Sequence, residues 1–167
     1  VQDHEISVNG TKYIRQGNSH DIQYHVSQAS RQKKGSLIDR GANGGIAGND
    51  TRIIDRHPHR TVDIRGIDNH EITSIPIVTA GAVARSQRGD VIIILHQYAY
   101  HPQQGRSIHS SCQLESFAND VNERSIHISG GLQRIQTVDG YVFPLSIRDG
   151  LPYLGMRPYT DSEYDSL

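Results

Sequence analysis

Apolar and polar residues alternate along much of this chain with a period of two, the pattern of half-buried β-strands. Residues 4–15 form two alternating runs, HEISV and TKYIR, about Asn9-Gly10, which predicts a hairpin. Further strands are predicted at 21–26, 36–39, 51–55, 61–65 and 71–78. His57-Pro58-His59 reads as a loop, because proline holds its predecessor extended. Pro76 implies an edge or strand-end position. Ser86 to Gly89 is a turn, and Val91-Ile92-Ile93-Ile94-Leu95, the most apolar run, is the expected central strand. One helix is predicted over 110–121: Ser110 and Gln113 form a capping box, and Leu114, Phe117, Ala118 and Val121 make one apolar stripe that packs on the core. Strands follow at 125–128, 132–138 and 141–147, with Asp139-Gly140 as a second hairpin turn. The segment 159–167 is acidic and expected to be mobile. The expected fold class is therefore mainly β.

Composition narrows the reading. The 167 residues suit one domain, yet only 35% are hydrophobic and there is no Trp. Such a lean core predicts burial against a partner or a second copy. Net charge is −1, so no basic field exists for nucleic acid, and no apolar run is long enough to span a membrane. The single cysteine excludes a disulfide framework and fits a reducing, cytoplasmic setting. The sequons at Asn9 and Asn49 would matter only in a secreted chain. The first residue is not Met, as expected of a piece cut from a polyprotein.

Chemistry concentrates in Gly35-Ser36-Leu37-Ile38-Asp39-Arg40-Gly41-Ala42, which runs on into the glycine-rich turn 43–48. A carboxylate at the end of an apolar strand, followed by a glycine that lets the chain turn at once, sits on a fixed corner where its pKa can be tuned and a water held. Most Asp-x-Gly triplets are ordinary turns; the apolar pair before this one and the alanine after it make it more specific. The histidines offer no zinc-hydrolase spacing, so no metal and no cofactor is expected. Cys112, near the predicted helix start, reads as a packing residue rather than a nucleophile.

The run apolar-apolar-Asp-x-Gly-Ala resembles the active-site signature of retropepsins, the aspartic proteases of retroviruses and LTR retrotransposons. Blocks such as Gly66-Ile67-Asp68-Asn69-His70, Leu95-His96-Gln97-Tyr98 and Gly150-Leu151-Pro152-Tyr153-Leu154 are similar to the protease region of Ty1/copia-type polyproteins, most of all to copia-like reading frames of diatoms. The resemblance covers roughly 35–160. It implies a retropepsin-like closed β-barrel or sandwich with one short helix over 35–124, an N-terminal extension over 1–34, a β-rich C-terminal portion over 125–158 and the tail. It further implies a homodimeric endopeptidase acting on polypeptide, with Asp39 from each subunit sharing one proton. Arg40, Gly41 and Ala42 would form the active-site turn, and Gly66, Ile67, Asp68 and Asn69 a flap over substrate.

Two positions depart from that family. Arg40 stands where it has Ser or Thr, and Ile108-His109-Ser110-Ser111 where it has an apolar-apolar-Gly corner. Arg40 could lie beside Asp39, which would hold both carboxylates ionised, or turn outward to another acid and leave the site unbraced. The alternative function is thus an inactive retropepsin-fold assembly module.

Overall fold

The computed structural model describes residues 5–14, 35–66 and 70–167. Its strands in chain order are β1 (Glu5–Val8), β2 (Thr11–Ile14), β3 (Ser36–Asp39), β4 (Ile46–Ala47), β5 (Arg52–Arg65), β6 (Glu71–Ser86), β7 (Gly89–Tyr100) and β8 (Ile108–Ser110). Helix α1 (Ser111–Ser116) leads into β9 (Asp120–Asn122), β10 (Arg134–Gln136), β11 (Val142–Pro144), β12 (Ser146–Arg148), β13 (Leu151–Leu154) and β14 (Met156–Arg157), and the chain ends on α2 (Asp161–Asp165). A mixed nine-stranded sheet takes the order β12-β13-β3-β8-β4-β7-β6-β14, with β5 also on β6. A three-stranded sheet, β11-β10-β9, packs beside it, and β1-β2 is the hairpin expected about Asn9-Gly10, both in the left-handed region. The fold is mainly β, but the large sheet does not close on itself among the described residues, so the expected closed barrel is not present there.

β3 is apolar because both its faces are covered. Ile38 enters the main core with Val78, Leu95, Tyr98 and Phe143, while Leu37 joins Ile108 and Tyr153 on the other face. Its parallel ladder with β8 pairs Leu37 with Ile108, Ile38 with His109 and Asp39 with Ser110. Buried Asp50 pins this pair: it accepts from Ser36 Oγ (2.7 Å), Ser107 Oγ (2.6 Å) and Ser107 N (3.0 Å). Three donors offset the cost of removing that carboxylate from water.

Several expected elements differ, each for a local reason. β5 runs unbroken through His57-Pro58-His59, because it pairs only with β6 and an edge strand tolerates proline; a register shift between Arg56 and Thr61 absorbs the irregularity. β6 continues through 79–86, where it is buried between neighbours. Pro76 lies where β6 pairs with β5 alone, since the β6–β7 ladder begins at Ile77. The expected central strand 91–95 is half-buried, with Ile94 exposed, because β4 reaches β7 only at Ala99 and Tyr100. The helix is shorter than its stripe: Ala118 turns into the left-handed region, Asn119 caps the Leu114 carbonyl at 2.9 Å, and Val121 is buried in a strand. Residues 125–128 are turns rather than a strand. The Asp139-Gly140 hairpin forms with a longer loop, closed from Thr137 to Tyr141, in which Gly140 takes the positive φ. The segment expected to be a mobile tail carries α2 with a full Thr160–Glu163 capping box. Tyr159 is buried under Arg52 and stacked on Tyr164. No helix among the described residues is long and apolar enough to cross a membrane.

Tyr98 and His109 meet in the core, phenol oxygen to Nδ1 at 2.7 Å. Burial keeps the phenol protonated far above its ordinary range. Burial also pulls the imidazole down from its ordinary 6.5 to about 4, against the opposing pull of the Asp50 charge. Phenol and imidazole are both neutral and share one hydrogen between the Tyr98 oxygen and Nδ1. The unfolded chain protonates this imidazole more readily than the fold, so folding stability falls as pH drops from about 6.5 towards about 4. At ~1.36 kcal/mol per unit the loss is on the order of 3 kcal/mol. Urea unfolding across this window should show it in the natural chain, and His109→Asn, which keeps a hydrogen-bonding group beside Tyr98 but does not titrate, should flatten the slope. Equal slopes in the two proteins would contradict a buried neutral imidazole.

Candidate functional site

Asp39 sits at the open end of β3, half-buried, where the chain leaves the sheet. Its Oδ1 accepts from Gly41 N at 2.8 Å, and Ala42 N reaches the Asp39 carbonyl at 3.3 Å, so the turn closes on its own acid. A Cβ on residue 41 would come within 3.2 Å of Asp39 Oδ1, which keeps this corner small. Ser110 then ties the turn to the helix: its hydroxyl donates to the Ala42 carbonyl (2.7 Å) and accepts from Gln113 N (3.1 Å). The serine departing from the apolar-apolar-Gly pattern thus acts at once as helix N-cap and turn brace.

Gln113 makes only half of the expected capping box. Its side chain accepts from Gly45 N at 2.7 Å and donates to the His96 and Gln97 carbonyls at 2.9 and 3.1 Å. It thereby clamps the glycine-rich loop against the end of β7. That loop passes so close to its neighbours that a Cβ on Gly45 would lie 2.5 Å from the Tyr98 ring, and one on Gly48 2.3 Å from the Gly105 carbonyl. Spacing alone could not assign Gln113 this role, since the local cap and the distant loop compete for the same amide.

A cleft of about 550 Å³ opens over this corner. Asp39, Gly41 and Ala42 line one side; Val62, Ile64 and Ile72, from the β5–β6 hairpin, line the other. The hairpin extends past the last β6–β7 pair, Ile77 with Ala99, and Gly66 N donates to the His70 carbonyl at 2.7 Å across its tip. Gly66 lines the cleft, whereas Ile67, Asp68 and Asn69 lie outside the described residues. The polar residues of the cleft include Asp63, whose carboxylate already accepts from Ser74 N at 2.8 Å. Among the histidines, His57 and His96 meet through Thr79 Oγ1 at 3.3 and 3.5 Å. No cluster of three His, Cys, Asp or Glu able to hold a metal occurs among the described residues. Cys112 is exposed.

Arg40 turns away from the cleft. Its guanidinium meets Glu115 Oε1 at 2.7 Å and Glu123 Oε2 at 3.1 Å, on α1 and just beyond β9. Hydrogen bonds to Glu123 and Glu115 push the arginine further above its ordinary pKa. Burial raises the Glu123 carboxyl, but the Arg40 hydrogen bond and charge outweigh it and leave it below the ordinary range. Of the two placements open to this residue, the outward one holds. The acids that make it favourable lie some eighty residues downstream, so no local pattern announces them.

The Glu123 side chain is 19% exposed and that of Glu115 41%, so the two pairs differ in solvent screening. A double-mutant cycle on Arg40→Ser and Glu123→Gln, read by urea unfolding, should give a coupling of about 1 kcal/mol that shrinks in high salt. The corresponding Glu115→Gln cycle should give less. Zero coupling to both acids would place the guanidinium elsewhere.

Compared with known proteins, the chain matches no family model, no curated protein and no solved structure.

Proposed function

We propose that the chain is a retropepsin-like aspartic endopeptidase subunit of a retroelement polyprotein, one half of a homodimer. The carrying observation is the position of Asp39: it ends a buried strand, lies parallel to the strand that enters α1, and faces a cleft bordered by a projecting β-hairpin. Within one subunit the turn offers the Asp39 carboxylate one backbone donor, Gly41 N, which orients it towards the cleft. Two copies would bring two such carboxylates together. At contact distance they cannot both ionise readily, so the pair holds one proton and titrates as a unit. One then serves as base towards a bridging water and the other as acid towards the scissile carbonyl. The apolar hairpin residues Val62, Ile64 and Ile72 would cover apolar side chains of an extended peptide and exclude water around it.

Arg40 bears on this reading in two ways. Its engagement with Glu115 and Glu123 turns the guanidinium away from the cleft that Asp39 lines. It also leaves the turn without a hydroxyl to brace a second subunit, and that favours the second reading, an inactive assembly module of the same fold. The intramolecular tie through Ser110 and Ala42 supplies part of the missing bracing.

Cleavage of a peptide library between about pH 4 and 7, with a pepstatin-type inhibitor as control, separates the two readings. Activity is expected on the acid side, sensitive to the inhibitor, and abolished in Asp39→Asn. Sedimentation should give a dimer for the natural chain and for Asp39→Asn alike. A dimer with no cleavage of any peptide supports the assembly module; a monomer at micromolar concentration removes the shared-proton mechanism. Arg40→Ser should change stability more than cleavage rate, because the arginine does not line the cleft.

A further inference from the structure

Asn-Gly occurs twice in the chain, at Asn9-Gly10 and at Asn43-Gly44. The pair has a chemistry of its own. The backbone nitrogen that follows an asparagine can attack that residue's side-chain carbonyl carbon and close a five-membered imide. A side chain on the following residue hinders the attack, and glycine has none. Asparagine counts among the thermolabile residues.

The two pairs stand in different surroundings. Asn9 and Gly10 form the turn of the β1–β2 hairpin, both in the left-handed region, and Val8 pairs with Thr11 directly across it. Ring closure needs rotation about the asparagine Cα–C bond, and the hairpin ladder holds that bond in place. Asn43 and Gly44 lie in a bend outside any strand, and both are exposed. The ties on this loop stop short of them on either side. Ser110 holds the Ala42 carbonyl, and Gln113 holds Gly45 N. Neither the Asn43 amide nor Gly44 N makes a hydrogen bond among the described residues. The two reacting groups are thus adjacent, unengaged and open to water, and both residues line the Asp39 cleft.

We propose that Asn43 is a self-modification site, at which the chain converts an uncharged amide into a carboxylate on the wall of the Asp39 cleft. Gly44 N bonds to Asn43 Cγ and gives up its proton. The Cγ–Nδ2 bond breaks, and ammonia leaves with that proton. Water then opens the imide. Attack at Cγ gives aspartate; attack at the main-chain carbonyl carbon gives isoaspartate, in which the chain continues through the side-chain carboxyl carbon. The sequence consumes water, releases ammonia and changes no oxidation state. Either product adds a negative charge to a cleft that already carries Asp39 and Asp63. Isoaspartate also lengthens the main chain by a methylene, between the ties at Ala42 and Gly45. This chemistry rests on the loop alone and is independent of the peptidase reading.

The test incubates the full folded chain at mildly alkaline pH. Intact mass is followed, modified positions are found by peptide sequencing, and isoaspartate is detected by methylation with an isoaspartyl methyltransferase. The mass gain of an NH2-to-OH exchange should appear at residue 43 well before residue 9, with isoaspartate in excess over aspartate. Gly44→Ala should slow it severalfold. Gly44 lies outside the left-handed region, and a Cβ there would meet only Gln113 Oε1, at an ordinary 3.7 Å, so the fold accommodates the variant. Asn43→Gln, whose imide would be six-membered, should lose the gain at this position. Urea unfolding should match the natural chain for both variants. Conversion of residue 9 first, or an unchanged rate at residue 43 in Gly44→Ala, would overturn the assignment. So would an Asn43 that converts in urea but not in the folded chain.

Discussion

The parallel ladder between β3 and β8 is the constraint on which the rest of the molecule depends. It sets Asp39 opposite Ser110, and so fixes an acid-bearing turn against the start of a helix. Parallel neighbours have to be brought together by a long crossover, and here the crossover contains β4, the β5–β6 hairpin and β7. Closing so large a loop is costly unless its ends are held well. Asp50 does much of the holding. One buried carboxylate collects Ser36 from β3 and Ser107 just before β8, and Ser107 Oγ in turn accepts from Gly48. Replacing any member of this set would leave a buried polar group without its partner, which makes the network cooperative rather than a sum of pairs.

The same arrangement explains why the Asp39 corner can be small and polar at the edge of an apolar core. The Gly41 N–H holds the carboxylate; Ser110 holds the turn; Gln113 holds the loop behind it. Arg40 belongs to a different layer. By bridging to Glu115 and Glu123 it fastens the turn to α1 and to the approach to β10, and it takes no place in the cleft. An arginine at this position therefore works as a fastener within the subunit, with its guanidinium turned away from the cleft that Asp39 lines.

Two clefts lie on opposite stretches of β7. Near Ala99 the strand is enclosed by β4 and β6, and the Asp39 cleft forms there against the projecting hairpin. Towards Val91 it has β6 alone as neighbour, and the side chains that a second strand would shield instead line an apolar cleft against Ile135 and Phe143. One long strand thus borders two clefts because its partners end at different points.

Much of this was legible from residue order. Alternation marked the β1–β2 hairpin and much of β5 and β6, an apolar pair before the acid marked β3, and the Asn-Gly turn chemistry needs only local sterics. The capping serine at Ser110 and the Asp-x-Gly corner were legible for the same reason. Elements failed where a distant partner decided. The stripe over 114–121 favours a helix in isolation, but pairing with β10 draws Val121 into a strand. The run 91–95 is apolar enough for a central strand, yet its burial depends on how far β4 extends. Roles that need two distant residues were invisible in order alone: Asp50 with Ser36 and Ser107, Arg40 with Glu115 and Glu123, and the buried His109 beneath Tyr98. The sequence by itself determined where the acid stands and how its turn begins. Tertiary structure alone decided what surrounds them, because the neighbours of a charge or a buried donor are set by packing across the whole chain.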